Sequence, residues 1–328
     1  MNLRTTFYID PSPKRITYND RTMFIGSCFA SSIGQQMEKG KMTVMINPAG
    51  TVYNPVSVCN TLDSVIAGRE FVKEDLFFHD GLWLSFFHYT DFSSEDPDKT
   101  LNKINTRLKE ASSFLKNSAF LFITLGTARI YRWKQTGMVV SNCHKIPSVQ
   151  FSSELMSVKE IADLWTKQLD RLSAFCPNLK VIFTISPVRH LKDGAHGNQV
   201  SKSVLFLAVE ELLGHKSNPQ YFPAYELVMD DLRDYRFYCE DMIHPSDQTI
   251  NYIWDAFSTS YLDASAVKIW NEALKITKAR THRFNSDSIS KKKDFALKML
   301  DHISQIEKKV SLIDFSEEKS YFMKLLNS

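Results

Sequence analysis

Four short apolar runs constrain this chain more than any other feature: TMFIG (22–26), TVMIN (43–47), AFLFITLG (119–126) and KVIFTISP (180–187). They are rich in Val, Ile and Phe, are bounded by Gly or Pro, and lack the polar–apolar alternation of a strand with one wet face. Strands read this way when both faces are covered, as in a parallel sheet. Amphipathic patterns lie between and after them. SVKEIADLWTKQLDRLSAF opens with Ser157 and Glu160 in capping-box spacing and carries Ile161, Leu164, Trp165, Leu169, Leu172 and Phe175 on one helical face. DKTLNKINTRLKEASSFL repeats the pattern through Leu101, Ile104, Leu108 and Leu115, and SDQTINYIWDAFSTSYL does so from a capping Ser246. Strands alternating with helices predict an α/β fold, a parallel sheet with helices on both faces. Ligands on such sheets bind at the carboxyl ends of the strands.

At 328 residues the chain is long enough for a sizeable core, and the pattern predicts one large domain over 1–262 followed by a helical appendage over 263–328. The appendage is Lys-rich, as in SKKKDFALKML, and its basic face reads as solvated surface. The aromatic stretch FFHDGLWLSFFHYTDF (77–92) reads as a hairpin or a lid over the pocket. Lys and Arg total 40 against 37 Asp and Glu, a balance that points to neither nucleic acid nor a membrane surface as partner. The amino-terminal stretch lacks the apolar core of a secretory signal, and Pro11 and Pro13 interrupt it. The five cysteines are scattered, with no CxxC pair, so reduced thiols in a cytoplasmic protein are expected. No cofactor and no metal site is expected; His79 and His88 share no helix face, and Trp83 and His88 read as lid or wall. Oligomeric state is not legible.

FIGSCFASSIG (24–34) places Ser27 directly after a buried strand and at the start of a helix. Its side chain would then stand at the mouth of the sheet, and its N–H would be among the helix's unpaired donors, where an anion is stabilised. Acyl transfer needs such a position for its tetrahedral oxyanion. An ordinary serine helix cap is the plainer reading of this stretch alone. Far downstream, CEDMIHPSD sets Asp241 three residues before His244, the spacing of a turn in which a carboxylate orients a base. Cys28 is the rival nucleophile, read instead as a small buried residue.

Gly26-Ser27-Cys28-Phe29-Ala30 resembles the signature of the GSCFA family, within the SGNH/GDSL-like hydrolase superfamily, and NPAGTVYNP, NCHK, SPVRHLKDG and DMIHPS resemble further blocks in the same order. The resemblance runs from about residue 20 to 262 and implies a three-layer α/β/α, flavodoxin-like sandwich and ester chemistry. It implies Ser27 as nucleophile, His244 as general base and Asp241 as its partner, with Gly50 joining the Ser27 N–H as an oxyanion donor. The superfamily's Gly–x–Asn–Asp is absent: the third strand ends TLGTAR, so Thr127, or the amide of Asn142 or Asn54, is expected to replace the missing Asn. Arg189 and His190 after the fourth strand, Asn142 and His144 in NCHK, and His88 are the remaining pocket candidates. Tyr221, Tyr225, Tyr235 and Tyr238 are expected in the core or pocket wall. The expected activity is hydrolysis of small acyl esters, including acetyl esters of carbohydrates. An acyltransferase with the same triad and a sugar acceptor, and a non-catalytic glycan- or ligand-binding protein on this fold, are the alternatives.

Overall fold

The computed structural model describes residues 5–281, 289–310 and 312–327. Strand β1 (Thr22–Gly26) leads into helix α1 (Cys28–Lys39), then β2 (Val44–Ile46) and α2 (Pro55–Ala67). A hairpin of β3 (Phe77–His79) and β4 (Leu82–Leu84) precedes α3 (Pro97–Lys116) and β5 (Phe120–Leu125). Three further strands follow, β6 (Arg129–Trp133), β7 (Val139–Val140) and β8 (Phe151–Leu155). The chain continues through α4 (Val158–Phe175), β9 (Lys180–Ile185), α5 (Gly194–Leu213), β10 (Gln220–Tyr221) and the short α6 (Ala224–Glu226), which a π-helical segment Leu227–Leu232 extends. Helices α7 (Asp247–Tyr261), α8 (Ala264–Ala279), α9 (Ile289–Lys309) and α10 (Ser316–Asn327) complete it.

The central sheet is wholly parallel in the order β10-β9-β5-β1-β2. Successive residues of each strand feed opposite faces. Met23, Ile25, Leu121, Ile123, Val181, Phe183 and Ile185 join the apolar residues of α2, α3, α4 and α5 on one side. Phe24, Phe120, Phe122 and Ile182 pack against α1, α7 and α8 on the other, with Phe24 and Phe122 stacked at 4.9 Å. Both faces are covered, hence the unbroken apolar runs. The capping box of α4 forms as its spacing predicts, with Ser157 Oγ accepting from Glu160 N–H at 3.2 Å and Glu160 accepting from Ser157 N–H at 2.7 Å. This is the α/β sandwich expected from the sequence.

The hairpin reading of 77–92 holds for β3 and β4, which turn at Asp80–Gly81. The antiparallel sheet β7-β6-β8 was not legible in the sequence. In the 263–328 tail, α8 docks on the domain core: Trp270 Nε1 donates to Gln36 O at 2.8 Å and its ring meets Trp254 at 4.9 Å. Lys41 Nζ lies 2.8 Å from Glu318 Oε2, and Phe315 and Phe322 are buried on the same side of the sheet. Residues 282–288 of that tail lie outside the described residues. Among the described residues no helix is long and apolar enough to cross a membrane, and no group of three His, Cys, Asp or Glu side chains is placed to hold a metal ion.

Candidate active site

The sheet order reverses direction between β1 and β5, the switch point at whose carboxyl ends parallel sheets bind ligands. Gly26 ends β1 at φ +135°, and a Cβ on it would lie 2.1 Å from Thr124 O of β5. Only glycine lets the two backbones run this close. Ser27 follows, 4 % exposed, as the N-cap of α1: its N–H donates to Thr124 O at 3.1 Å and its Oγ accepts from Phe29 N–H at 3.2 Å. Asn47, in the loop after β2, ties the turn from the side. Its Oδ1 accepts from Gly26 N–H at 2.8 Å and its Nδ2 donates to Ser31 Oγ at 2.9 Å. The cap reading of Ser27 therefore holds in full, and the cap sits at the switch point.

The expected oxyanion donors all have partners within the protein. The Ser27 N–H is taken by Thr124 O, and the Gly50 N–H closes a turn onto Asn47 O at 2.8 Å. The Thr127 hydroxyl pairs with Ser201 Oγ at 2.8 Å and accepts from Arg129 N–H at 3.1 Å. The Asn54 amide donates through Nδ2 to Ser57 Oγ at 2.9 Å, and the Asn142 amide donates through Nδ2 to Thr90 Oγ1 at 3.4 Å. The cause is common to them: each lies where the chain leaves a strand or begins a helix, and the turn itself consumes the donor or acceptor. By contrast, the N–H of Cys28, first residue of α1, has no backbone acceptor among the described residues. Burial raises the Cys28 thiol above its ordinary value; the N–H groups of Phe29 and Cys28 and the charge of Lys202 oppose this, and Asp241 adds to it.

Asp241 and His244 meet in the loop before α7. His244 Nδ1 lies 2.6 Å from Asp241 Oδ2, while Asp241 Oδ1 accepts from the N–H groups of Ile243 and His244, both at 2.9 Å. His244 and those two N–H groups pull the Asp241 carboxyl down to about 2. A carboxylate on Nδ1 keeps the proton there and leaves Nε2 as the basic nitrogen. The loop is closed by Cys239 N–H donating to His244 O at 2.7 Å and by the Tyr238–Pro245 bridge. Both side chains are about half exposed, 46 % and 50 %. Ile243 of the same loop reaches the cavity at the carboxyl ends of β5 and β9, but no hydrogen bond joins His244 to Ser27 Oγ.

Lys202 is the site residue that sequence reasoning missed. It is fully buried on α5, and its Nζ donates to Gly126 O and Ser186 O, both at 2.6 Å, so one ammonium ties the carboxyl ends of β5 and β9. Burial pulls it down to about 7 from an ordinary 10.5. A signal existed: Lys202 shares the helical face of Asn198, Leu205, Val209 and Leu212, where a lysine is out of character.

A cavity of about 700 Å³ opens at the carboxyl ends of β5 and β9, lined by Asn54, Thr127, Asn142, His144, Arg189 and His190 together with Ile243 from the Asp241–His244 loop, whereas Ser27, Gly50, Asp241 and His244 are not among its lining residues. His190 leans on the Tyr53 ring at 5.1 Å, and burial lowers it to about 4. His88 does not line the cavity, contrary to expectation. It is buried between Phe71 and Phe92, hydrogen-bonded to Ser85 Oγ at 3.0 Å, and burial lowers it to about 3, so it is a neutral core histidine. The cavity's outer wall is the β7-β6-β8 sheet, through Arg129, Tyr131, Val140 and Phe151, and not the β3–β4 hairpin. Tyr221 is largely buried, its hydroxyl 2.9 Å from Glu226, whereas Tyr235 is exposed and belongs to neither core nor wall.

No curated protein matches the chain. The model of the GSCFA family matches residues 21–257, a span that starts beside β1, ends within α7, and holds the Ser27 turn, Lys202 and the Asp241–His244 loop. The chain therefore belongs to the GSCFA family.

Proposed function

We propose that the protein is a serine esterase of the SGNH/GDSL-like type, acting on small acyl esters, including acetyl esters of carbohydrates. The observation that carries this reading is an Asp–His pair bonded at 2.6 Å in a loop whose Ile243 lines the cavity at the carboxyl ends of a sheet whose switch point ends in a capping serine. In the first step Ser27 Oγ attacks the ester carbonyl carbon while His244 Nε2 takes its proton. The carbon–oxygen bond to the alcohol then breaks, the alcohol leaves with that proton, and the acyl group stays on Ser27. In the second step water, deprotonated by His244, attacks the acyl carbon, and the acid departs as the proton returns to Ser27. Oxyanion support falls to the amino terminus of α1, where the Cys28 N–H has no backbone acceptor, with the Lys202 charge nearby. Five free thiols support a reducing, cytoplasmic setting.

One observation favours a second reading. With the N–H groups of Ser27 and Gly50 both engaged, a non-catalytic ligand-binding protein on this fold would need no change to the site. A serine-directed fluorophosphonate separates the two, read by peptide mass spectrometry on wild type and His244→Ala. The expected result is an adduct on Ser27 that the variant loses. Absence of any adduct, or an adduct on Cys28, overturns the esterase reading.

A further inference from the structure

The cavity at the carboxyl ends of β5 and β9 gathers an excess of positive charge. Arg129, Lys145, Arg189 and Lys192 line it, against the single carboxylate of Asp193. Arg129 Nε pairs with that carboxylate at 3.1 Å. The other three have no carboxylate partner among the described residues. The whole chain is only +3, so this local excess matches the net charge of the entire molecule. Exposed charges elsewhere are in several cases matched, as in Arg132–Glu154 at 2.6 Å and Arg171–Asp63 at 2.7 Å.

Arg189 is the inner member. It follows β9 by four residues and is half-buried, and among the described residues the only hydrogen-bond partner of its guanidinium is the Met229 sulfur at 3.6 Å. A half-buried guanidinium against a thioether keeps most of its donors for a ligand, and its planar fork suits a carboxylate or phosphate. Lys145 is held at the rim by two successive left-handed residues, His144 at φ +49° and Lys145 at +60°. His144 is anchored there, with its Nε2 2.8 Å from Ser85 O. Tyr53, Tyr131 and Phe151 supply flat apolar walls between the cations. In the same wall the buried Ser141 hydroxyl has no hydrogen-bond partner among the described residues.

Resting on the esterase reading for the position of the reacting bond, we infer that the ester this site takes is anionic. It bears a carboxylate or phosphate, which Arg189 grips while Lys145 and Lys192 steer it from the rim. An anion in a half-enclosed, aromatic-walled cavity meets these cations at lower dielectric than on open surface, so the preference over a neutral ester is tenfold or more.

The test does not depend on turnover. Benzoate, phenyl phosphate and benzyl alcohol are titrated calorimetrically into wild type, Ser27→Ala, Arg189→Gln and the rim double variant Lys145→Gln/Lys192→Gln. The expected result is that at least one anion binds about tenfold or more tighter than the alcohol, in Ser27→Ala as in wild type. Arg189→Gln is expected to erase most of that margin, and the rim variant, whose exposed side chains bear no packing, to lose a few-fold of it, more at low salt. The stronger anion names the head group. Equal binding of the alcohol, or an anion margin unmoved in both variants, overturns the inference. In parallel, 4-acetoxybenzoate and phenyl acetate are compared for kcat/KM, and the wild-type preference for the former is expected to collapse toward unity in Arg189→Gln. Anion binding without a Ser27 fluorophosphonate adduct defeats the esterase reading and leaves the anion site standing. An adduct without an anion margin does the reverse.

Discussion

The two halves of the candidate machinery are held in opposite ways. The Ser27 turn is buried and backbone-locked: Gly26 presses on Thr124, Ser27 is bonded at both N–H and Oγ, and Asn47 clamps the turn from β2. The Asp241–His244 loop is half exposed and is held mainly by bonds within itself and to the segment just before it. The first is fixed by the register of the sheet. The second is a preassembled pair whose distance from the serine is set by a surface loop. On the proposed reading the nucleophile is locked in the sheet and the base sits on a half-exposed loop, so the site's competence would depend on that loop, which is also where Ile243 meets the cavity.

Three substitutions strain this contrast. The largest effect on stability is expected from Gly26→Ala. A Cβ there would meet Thr124 backbone at a φ that L residues rarely adopt, so the variant loses about 4 kcal/mol or fails to fold, read by denaturant unfolding. Near-native stability would show that the turn is not locked.

Lys202→Met comes next. It leaves the carbonyls of Gly126 and Ser186 without their donor in a buried place, a loss of about 2 kcal/mol. Its signature is in pH. With the native group near 7 and its ordinary value at 10.5, the unfolded chain binds more protons between those values, so wild-type stability rises with pH across that window. The rise should vanish in Lys202→Met; a parallel pair of curves would mean that the ammonium carries no such linkage.

Asp241→Asn should be nearly silent in thermal unfolding, since both side chains of the pair are half exposed. It should nonetheless slow fluorophosphonate labelling of Ser27 by about 10²–10⁴, because the wrong tautomer of His244 is then held. A melting temperature that falls as far as in Lys202→Met would make the loop part of the fold's framework and remove the contrast. The carboxylate's own linkage lies at acid: its depressed value of about 2 means that its contribution is complete above the ordinary carboxylate range and is lost as pH falls toward 2.

Local pattern carried the frame. The runs at 22–26, 43–47, 119–126 and 180–187 became β1, β2, β5 and β9, because covering both faces of a strand leaves a mark that needs no tertiary knowledge. Ser157 and Ser246 capped the expected helices, and the Asp241–His244 contact followed from a spacing of three in a turn. All of these depend on neighbours close in the chain. What stayed hidden depends on residues far apart. His88 became a core histidine because Phe71 and Phe92 enclose it. The Ser27 and Gly50 N–H groups were consumed by carbonyls that only strand register and a local turn bring near. Lys202 found its two carbonyls at the ends of strands 76 and 16 residues away in sequence. The cationic cavity gathers Arg129, Lys145, Arg189 and Lys192 from a strand and two loops, a convergence that sheet order produces and no window of sequence contains.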